Sequence, residues 1–347
     1  MKNKHIIFVF SILLFSCEKD NLSELQDILY VRRNGADMPA YIYGNASEKM
    51  FLIFLHGGPG GSGLSLRSLN TCQKLEKTCA MVYWDQRGQG MSQGHYNSSE
   101  NCVEEMAKDV KALALILKNK YGNDIKLFIM GASWGGTLGT KVMVTEDYQF
   151  LFNGWIEMDG AHDYPAQFRE GIKQMINIGS EQIQLGNSVS YWEDLLSEIS
   201  QTDTSIYDGN NFPVNSKAIE AESVLLNDGV IDMGNESISE GLKYILLYEN
   251  WITVKTTAIF TSQDISQNDN LFYNYSLTDE LHKIEIPTLF LWGKYDIVVP
   301  PALGVSAYNK VSSQNKRMVI LEHSGHQSIR ESDKVVKEIV DFMNNNK

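Results

Sequence analysis

The sequence predicts an α/β fold, a mostly parallel, doubly wound sheet with helices on both faces and a helical insertion. Three observations predict it. Met50–Leu55 and Ala80–Trp84 are apolar throughout, as strands covered on both faces are. Segments of helical period alternate with such runs, which implies parallel strands joined by crossover helices. Residues 127–139 read as strand, sharp turn and helix, with Gly131-Ala132-Ser133-Trp134-Gly135 at the turn.

Taken in order, residues 28–33 and 38–44 are strand-like, and Asn34-Gly35 between them is a hairpin turn signal. Met50–Leu55 runs into His56-Gly57-Gly58-Pro59-Gly60-Gly61. This glycine-rich loop lacks the lysine and spacing of a phosphate-binding loop, so it suits backbone donors aimed into a site. Residues 64–76 have helical period. Ala80–Trp84 leads into the polar, glycine-rich turn Asp85-Gln86-Arg87-Gly88-Gln89-Gly90-Met91-Ser92. Residues 104–121 form an amphipathic helix ended by Gly122-Asn123, and residues 151–158 a strand ending at Asp159-Gly160.

The character changes over residues 161–280. Helical stretches at 166–178 and 191–199 alternate with loops rich in Asn, Ser and Asp, and no buried parallel strand is evident. A helical cap of that size is expected there. Aromatic residues such as Trp155, Trp192, Trp251, Phe260, Phe272 and Tyr273 fill its core or shape a pocket. The strand–helix rhythm resumes at 286–292 with Asp296 just beyond. Pro301–Lys310 is a helix, 317–321 a last strand, then Ser324-Gly325-His326, and 331–344 a closing helix. Residues 18–160 and 281–347 thus make one core around the cap.

Of 347 residues, 43% are apolar and 21% charged, an ordinary globular composition. The net charge of −13 argues against a nucleic-acid partner. Residues 1–17 run basic, apolar and small, in the order of a secretory signal, and the apolar run is too short to span a bilayer. Its end, Leu14-Phe15-Ser16-Cys17, resembles a bacterial lipobox. That resemblance implies cleavage before Cys17, its acylation, and an exported protein tethered to a membrane on the periplasmic or outer side. Cys72, Cys79 and Cys102 allow one disulfide with one thiol left over, and spacing does not choose the pair. Neither cysteines nor histidines show metal-ligand spacing. No metal or organic cofactor is expected.

A serine hydroxyl needs a base to take its proton, usually a histidine oriented by a carboxylate. Ser133, Asp296 and His326 follow predicted strands, on the sheet edge where ligands bind. Asp159 also follows a strand, but a lone Asp there more often caps a helix. His323 is read as a loop residue, His56 as an anchor of its own loop, and Asp85 with Arg87 as a structural ion pair.

The order serine, acid, histidine and the motifs at His56–Gly60, Asp85–Ser92 and Gly131–Gly136 resemble those of α/β-hydrolases of the prolyl aminopeptidase (proline iminopeptidase) group. The likeness covers the core, about two-thirds of the chain. It implies Ser133 as nucleophile, His326 as base and then acid, and Asp296 as orienting carboxylate. It also implies an oxyanion hole of the Gly58 and Trp134 amides. The activity implied is release of N-terminal proline, or another small residue, from peptides. The group holds the substrate's free amine with acidic residues, including a Trp-x-x-Trp-Glu stretch in the cap. Here the nearest match is Tyr248-Glu249-Asn250-Trp251, which makes Glu249 the candidate amine ligand. A carboxylesterase acting on small esters or amides, and a catalytically silent binding protein, are the alternatives. Epoxide hydrolases and dehalogenases place an aspartate where Ser133 stands.

Overall fold

The computed structural model describes residues 21–94, 102–201, 213–232, 250–266 and 274–347. The signal segment with Cys17, and Glu249 in the insertion, lie outside these residues. Among the described residues no helix is long and apolar enough to cross a membrane.

In chain order the elements are β1 (Leu25–Arg33), β2 (Ala36–Gly44), β3 (Met50–Leu55), α1 (Asn70–Leu75), β4 (Ala80–Trp84), α2 (Cys102–Tyr121), β5 (Lys126–Ala132), α3 (Trp134–Val144) and β6 (Gly154–Met158). Then come α4 (Tyr164–Leu185), α5 (Val189–Gln201), α6 (Val214–Asn227), α7 (Trp251–Ser266), β7 (Thr288–Gly293), α8 (Pro301–Lys310), β8 (Lys316–Leu321) and α9 (Ser332–Asn345). The eight strands form one sheet in the order β1-β2-β4-β3-β5-β6-β7-β8. β1 and β2 pair antiparallel, β2 meets β4 antiparallel, and every later pairing is parallel. This is the α/β-hydrolase fold. The hairpin turn holds Asn34 and Gly35 at φ 45° and 75°, the positive pair that a two-residue turn of this kind requires.

Alternation decides the layering. Ile53, Leu55, Leu127 and Ile129 face one side with α2 and α3, while Leu52, Phe54, Phe128 and Met130 face the other with α1 and α9. Both faces are buried, so the middle strands carry no polar side. Two expected elements differ. The helix expected over 64–76 is broken at Leu69, which takes an extended backbone and buries its side chain between a 3₁₀ turn and α1. The strand expected from 151 starts at Gly154, because Tyr148–Leu151 is a 3₁₀ turn and the Asn153 side chain accepts from the Leu127 amide.

Between β6 and β7 the named elements are helices, as the sequence suggested. α4, α5 and α6 bury a cluster of their own around Phe168, Ile172, Met175, Trp192, Ala218 and Leu225, which Ile297 of the core joins. Trp155 and Trp192 are fully buried, whereas Trp251 and Phe260 are exposed. Phe272 and Tyr273 are outside the described residues. Cys72, Cys79 and Cys102 are buried free thiols, each with its pKa pushed up by burial.

Candidate active site

The site lies along the carboxyl ends of the parallel strands. The loop after β3, the turn after β4, Ser133 after β5, Asp159 after β6, Asp296 after β7 and His326 after β8 all sit on that edge.

Ser133 has φ 54° and ψ −121°, a conformation that residues with a side chain rarely adopt. Its flanking glycines show why the turn tolerates nothing larger. A Cβ on Gly131 would lie 2.1 Å from the Gly135 carbonyl oxygen, and one on Gly135 would lie 2.0 Å from that of Leu55. The Ser133 amide donates to Met158 O, and its carbonyl accepts from Gly136 and Ala161. The strained turn is therefore pinned to β6 and to α3, and the hydroxyl stands at the start of a helix.

The Ser133 Oγ lies 3.0 Å from His326 Nε2, and His326 Nδ1 lies 3.0 Å from Asp296 Oδ2. A carboxylate only accepts, so in the neutral imidazole Nδ1 carries the proton and Nε2 is left to accept from the serine. Asp296 is fully buried, and its other oxygen accepts the Val299 amide at 2.7 Å. Burial alone pulls the His326 pKa down. The charge of Asp296 and its hydrogen bond outweigh that and raise it to about 9. This arrangement can move a proton from serine to histidine while holding the resulting imidazolium.

Asp159 is the neighbouring carboxylate. Its oxygens accept from the Gly293 amide and from the amide and hydroxyl of Ser328, and neither takes a hydrogen bond from His326. Burial, then the charge of Asp296, raises its pKa well above the usual carboxylate range. Among the described residues Asp159, Asp296 and His326 are the group with metal-ligand spacing, within 4.8 Å of one another. Their carboxylate oxygens already accept hydrogen bonds from backbone, hydroxyl or imidazole. His323 is exposed, and its carbonyl accepts from Asp232.

Gly58 and Trp134 line the same cavity as Ser133 and His326, a space of about 790 Å³. Trp134 opens α3, so its amide belongs to the helix's first turn, which lacks intrahelical partners. The glycine loop abuts the serine: a Cβ on Gly57 would come within 3.2 Å of Ser133 Cβ. A polar network holds the loop there. His56, kept neutral by burial, which lowers its pKa to about 4, bonds Gly57 O through Nδ1. Gln86 donates to His56 O and accepts from the Trp134 indole N–H at 3.0 Å and from the Gln89 amide. Gln89 in turn accepts the Gly60 amide. From outside, α7 places Thr257 and Thr261 on the carbonyls of Gly90 and Gly88.

The expected Asp85–Arg87 pair is corrected. Arg87 grips Asp109 of α2 at 2.7 and 2.8 Å, and its guanidinium is held there because it also donates to the carbonyls of Asn34 and Arg33 in the first hairpin. Asp85 instead accepts the amides of Gly63 and Met91, closing its own turn. Gln86 and Gln89 belonged to a recognised motif, but their part in the network was not legible from it. Glu222 of α6, which lines the cavity, gave no sequence signal at all: in a helix of mixed composition it reads as a solvated face.

Comparison with known proteins agrees with this architecture. Residues 46–192 match a family described as serine aminopeptidase, S33. A proline iminopeptidase of Saccharolobus solfataricus is 24% identical over 318 residues, covering 90% of this chain and 91% of that protein. Among solved structures, a serine hydrolase involved in carbazole degradation superposes with a TM-score of 0.58 at 18% identity, over 92% of this chain and 99% of that one. A lipase of Acinetobacter baumannii, described as putative, gives 0.58 at 18% over 94% of each. The chain has the α/β-hydrolase fold, and its sequence is similar to those of proline iminopeptidases.

Proposed function

We propose that this hydrolase is a serine enzyme working through an acyl-enzyme, and that it releases N-terminal proline or another small residue from peptides. The observation that carries the proposal is the hydrogen-bonded series Ser133–His326–Asp296 opening onto the cavity. Ser133 Oγ attacks the substrate carbonyl while His326 Nε2 takes its proton. The oxyanion forms beside the Trp134 and Gly58 amides. His326 then protonates the leaving amine, and water, deprotonated by the same nitrogen, hydrolyses the ester on Ser133.

Two things support the peptidase reading: the likeness to proline iminopeptidases, and a carboxylate in the cavity wall. Glu222 is the acidic residue among the described lining, and although burial, then the charge of Asp296, raises its pKa to about 7, its ionised form offers negative charge toward a free amine. Glu249 keeps its candidacy for the same task. The esterase reading rests on the rest of that wall, where Phe168, Val214, Ile219, Leu226 and Ile231 present apolar surface suited to an acyl chain.

Hydrolysis of proline, alanine and leucine p-nitroanilides beside a short-chain p-nitrophenyl ester, by wild type and Ser133→Ala, separates these readings. Cleavage of the free-amine proline substrate, lost in the variant and blocked by N-acetylation, is the expected result. Ester turnover alone would discard the peptidase. Activity that survives Ser133→Ala would discard the nucleophile, and failure to react with a serine-directed phosphonate would favour a binding protein.

A further inference from the structure

Among the side chains by which the inserted helices reach this edge of the sheet, one is a carboxylate. Glu222 Oε2 accepts the backbone amide of His326 at 2.8 Å. Its Oε1 accepts the amide of Ile297 at 2.8 Å and that of Val298 at 3.4 Å. Ile297 follows Asp296 directly, and the Asp296 carboxylate is itself held by the Val299 amide of the same turn. One side chain on α6 therefore grips the two loops whose side chains face each other across the His326–Asp296 hydrogen bond.

A second observation points the same way. A Cβ on Gly325 would lie 2.4 Å from Glu222 Oε2 and 2.9 Å from its Cδ. Glycine before the histidine is what lets the carboxylate come this close to the chain. Its φ is not in the left-handed region, so approach and not backbone freedom explains it here. Around this point the same helical layer makes further bonds to the same two loops. Gln167 donates to Val298 O, Gln174 to Lys294 O, and the Asp232 amide to His323 O. Burial, then the charge of Asp296, raises the Glu222 pKa to about 7, so its contacts become charge-assisted, the stronger kind, as it ionises above that pH.

We infer that Glu222 is a positioning residue: it aligns His326 with Asp296 and makes that alignment depend on the docked helical layer. This rests on the triad assigned above. It is a task separate from holding a substrate amine, since the contacts are to this chain's own amides. An ionised Glu222 also adds negative potential at His326, which favours the imidazolium formed during proton transfer. Glutamine at this position keeps the shape but replaces one acceptor oxygen with a donor, which faces an N–H. Alanine removes both acceptors.

The test uses readouts that contain no amine. The rate of Ser133 labelling by a neutral fluorophosphonate and the kcat and KM for p-nitrophenyl acetate are measured in wild type, Glu222→Gln, Glu222→Ala and Gly325→Ala. The proton resonance of the His326–Asp296 hydrogen bond is recorded alongside. Positioning predicts that labelling and kcat fall together by about tenfold to a hundredfold in Glu222→Ala, with KM little changed. Glu222→Gln should fall less, Gly325→Ala should resemble Glu222→Ala, and the double variant should be no worse than either. The resonance should shift or broaden in step. Unchanged labelling, ester kinetics and resonance in folded Glu222→Gln and Glu222→Ala would overturn the inference. So would a rise in KM alone, with labelling, kcat and resonance unchanged, which would make Glu222 part of the binding wall only. Wild type that does not label, like Ser133→Ala, would remove the triad and the inference with it.

Discussion

Replacing Asp296 with asparagine should have two separable effects on one pH profile. In the wild type, burial opposes charge on His326, but Asp296 overrides it and the pKa stands at about 9. A raised pKa means that the active, neutral imidazole forms only as pH increases. At pH 7, two units below, about 1% of the resting enzyme holds the free base, so activity should rise about a hundredfold toward an alkaline plateau. In Asp296→Asn the main cause of the increase is gone, and burial is opposed only by the lesser charges of Asp159 and Glu222. The rising limb should move down, toward or below the ordinary 6.5. The plateau should fall as well. The asparagine amide can present its N–H₂ to Nδ1, which turns the imidazole to the tautomer with its proton on Nε2, facing Ser133. A tautomer error of this kind costs about 10⁴-fold, or ~5.5 kcal/mol. The assay is kcat/KM for p-nitrophenyl butyrate from pH 5.5 to 10, corrected for spontaneous hydrolysis. Asp159→Asn is the comparison. Burial already favours the uncharged form of Asp159, and its hydrogen bonds go to Gly293 and Ser328, so its plateau should drop at least about a hundredfold less. If the limb stays in place in Asp296→Asn, or Asp159→Asn does the greater damage, the orienting carboxylate has been misassigned.

Three further outcomes are expected. Gln86→Leu should leave the fold intact but loosen the loop carrying Gly58, since the Trp134 indole, Gln89 and His56 O all lose a partner; kcat should fall about tenfold to a hundredfold with KM nearly constant. Beneath the serine turn, His162 and Glu157 form a buried pair at 2.7 Å, and replacing His162 with asparagine should cost about 3–5 kcal/mol in urea unfolding at pH 6. Burial lowers the His162 pKa but Glu157 more than restores it, so the net shift is upward. The pair's contribution is thus full below 6.5 and is lost as pH rises through the raised folded value, and the gap between wild type and variant should narrow there. Finally, Cys17→Ser should convert a membrane-associated product into a soluble, unlipidated one on fractionation; equal membrane retention would discard the lipid anchor.

Strands β3 and β4, the serine turn and the closing helix were legible because their signals are local. An all-apolar run, a pair of glycines two residues either side of a serine, and a helical period each state their consequence within about ten residues. The placement of Ser133, Asp296 and His326 on one edge was legible for the same reason. Each follows a strand, and parallel strands present their carboxyl ends together. Element boundaries were less legible where a side chain far away decides them, as Asn153 does by capping Leu127 at the edge of β5.

The sequence by itself determined the architecture and the chemical identity of the residues on the carboxyl edge of its sheet. Tertiary structure decided the partnerships: Asp296 rather than Asp159 against Nδ1, Asp109 rather than Asp85 for Arg87, Gln86 and Gln89 as supports of the glycine loop, and Glu222 against Gly325. The physical reason is distance along the chain. Glu222 and His326 are 104 positions apart, Ser133 and His326 are 193 apart, and no periodicity encodes which polar groups meet when the layers close. That choice is made by packing, which buries a carboxylate only where donors are waiting for it.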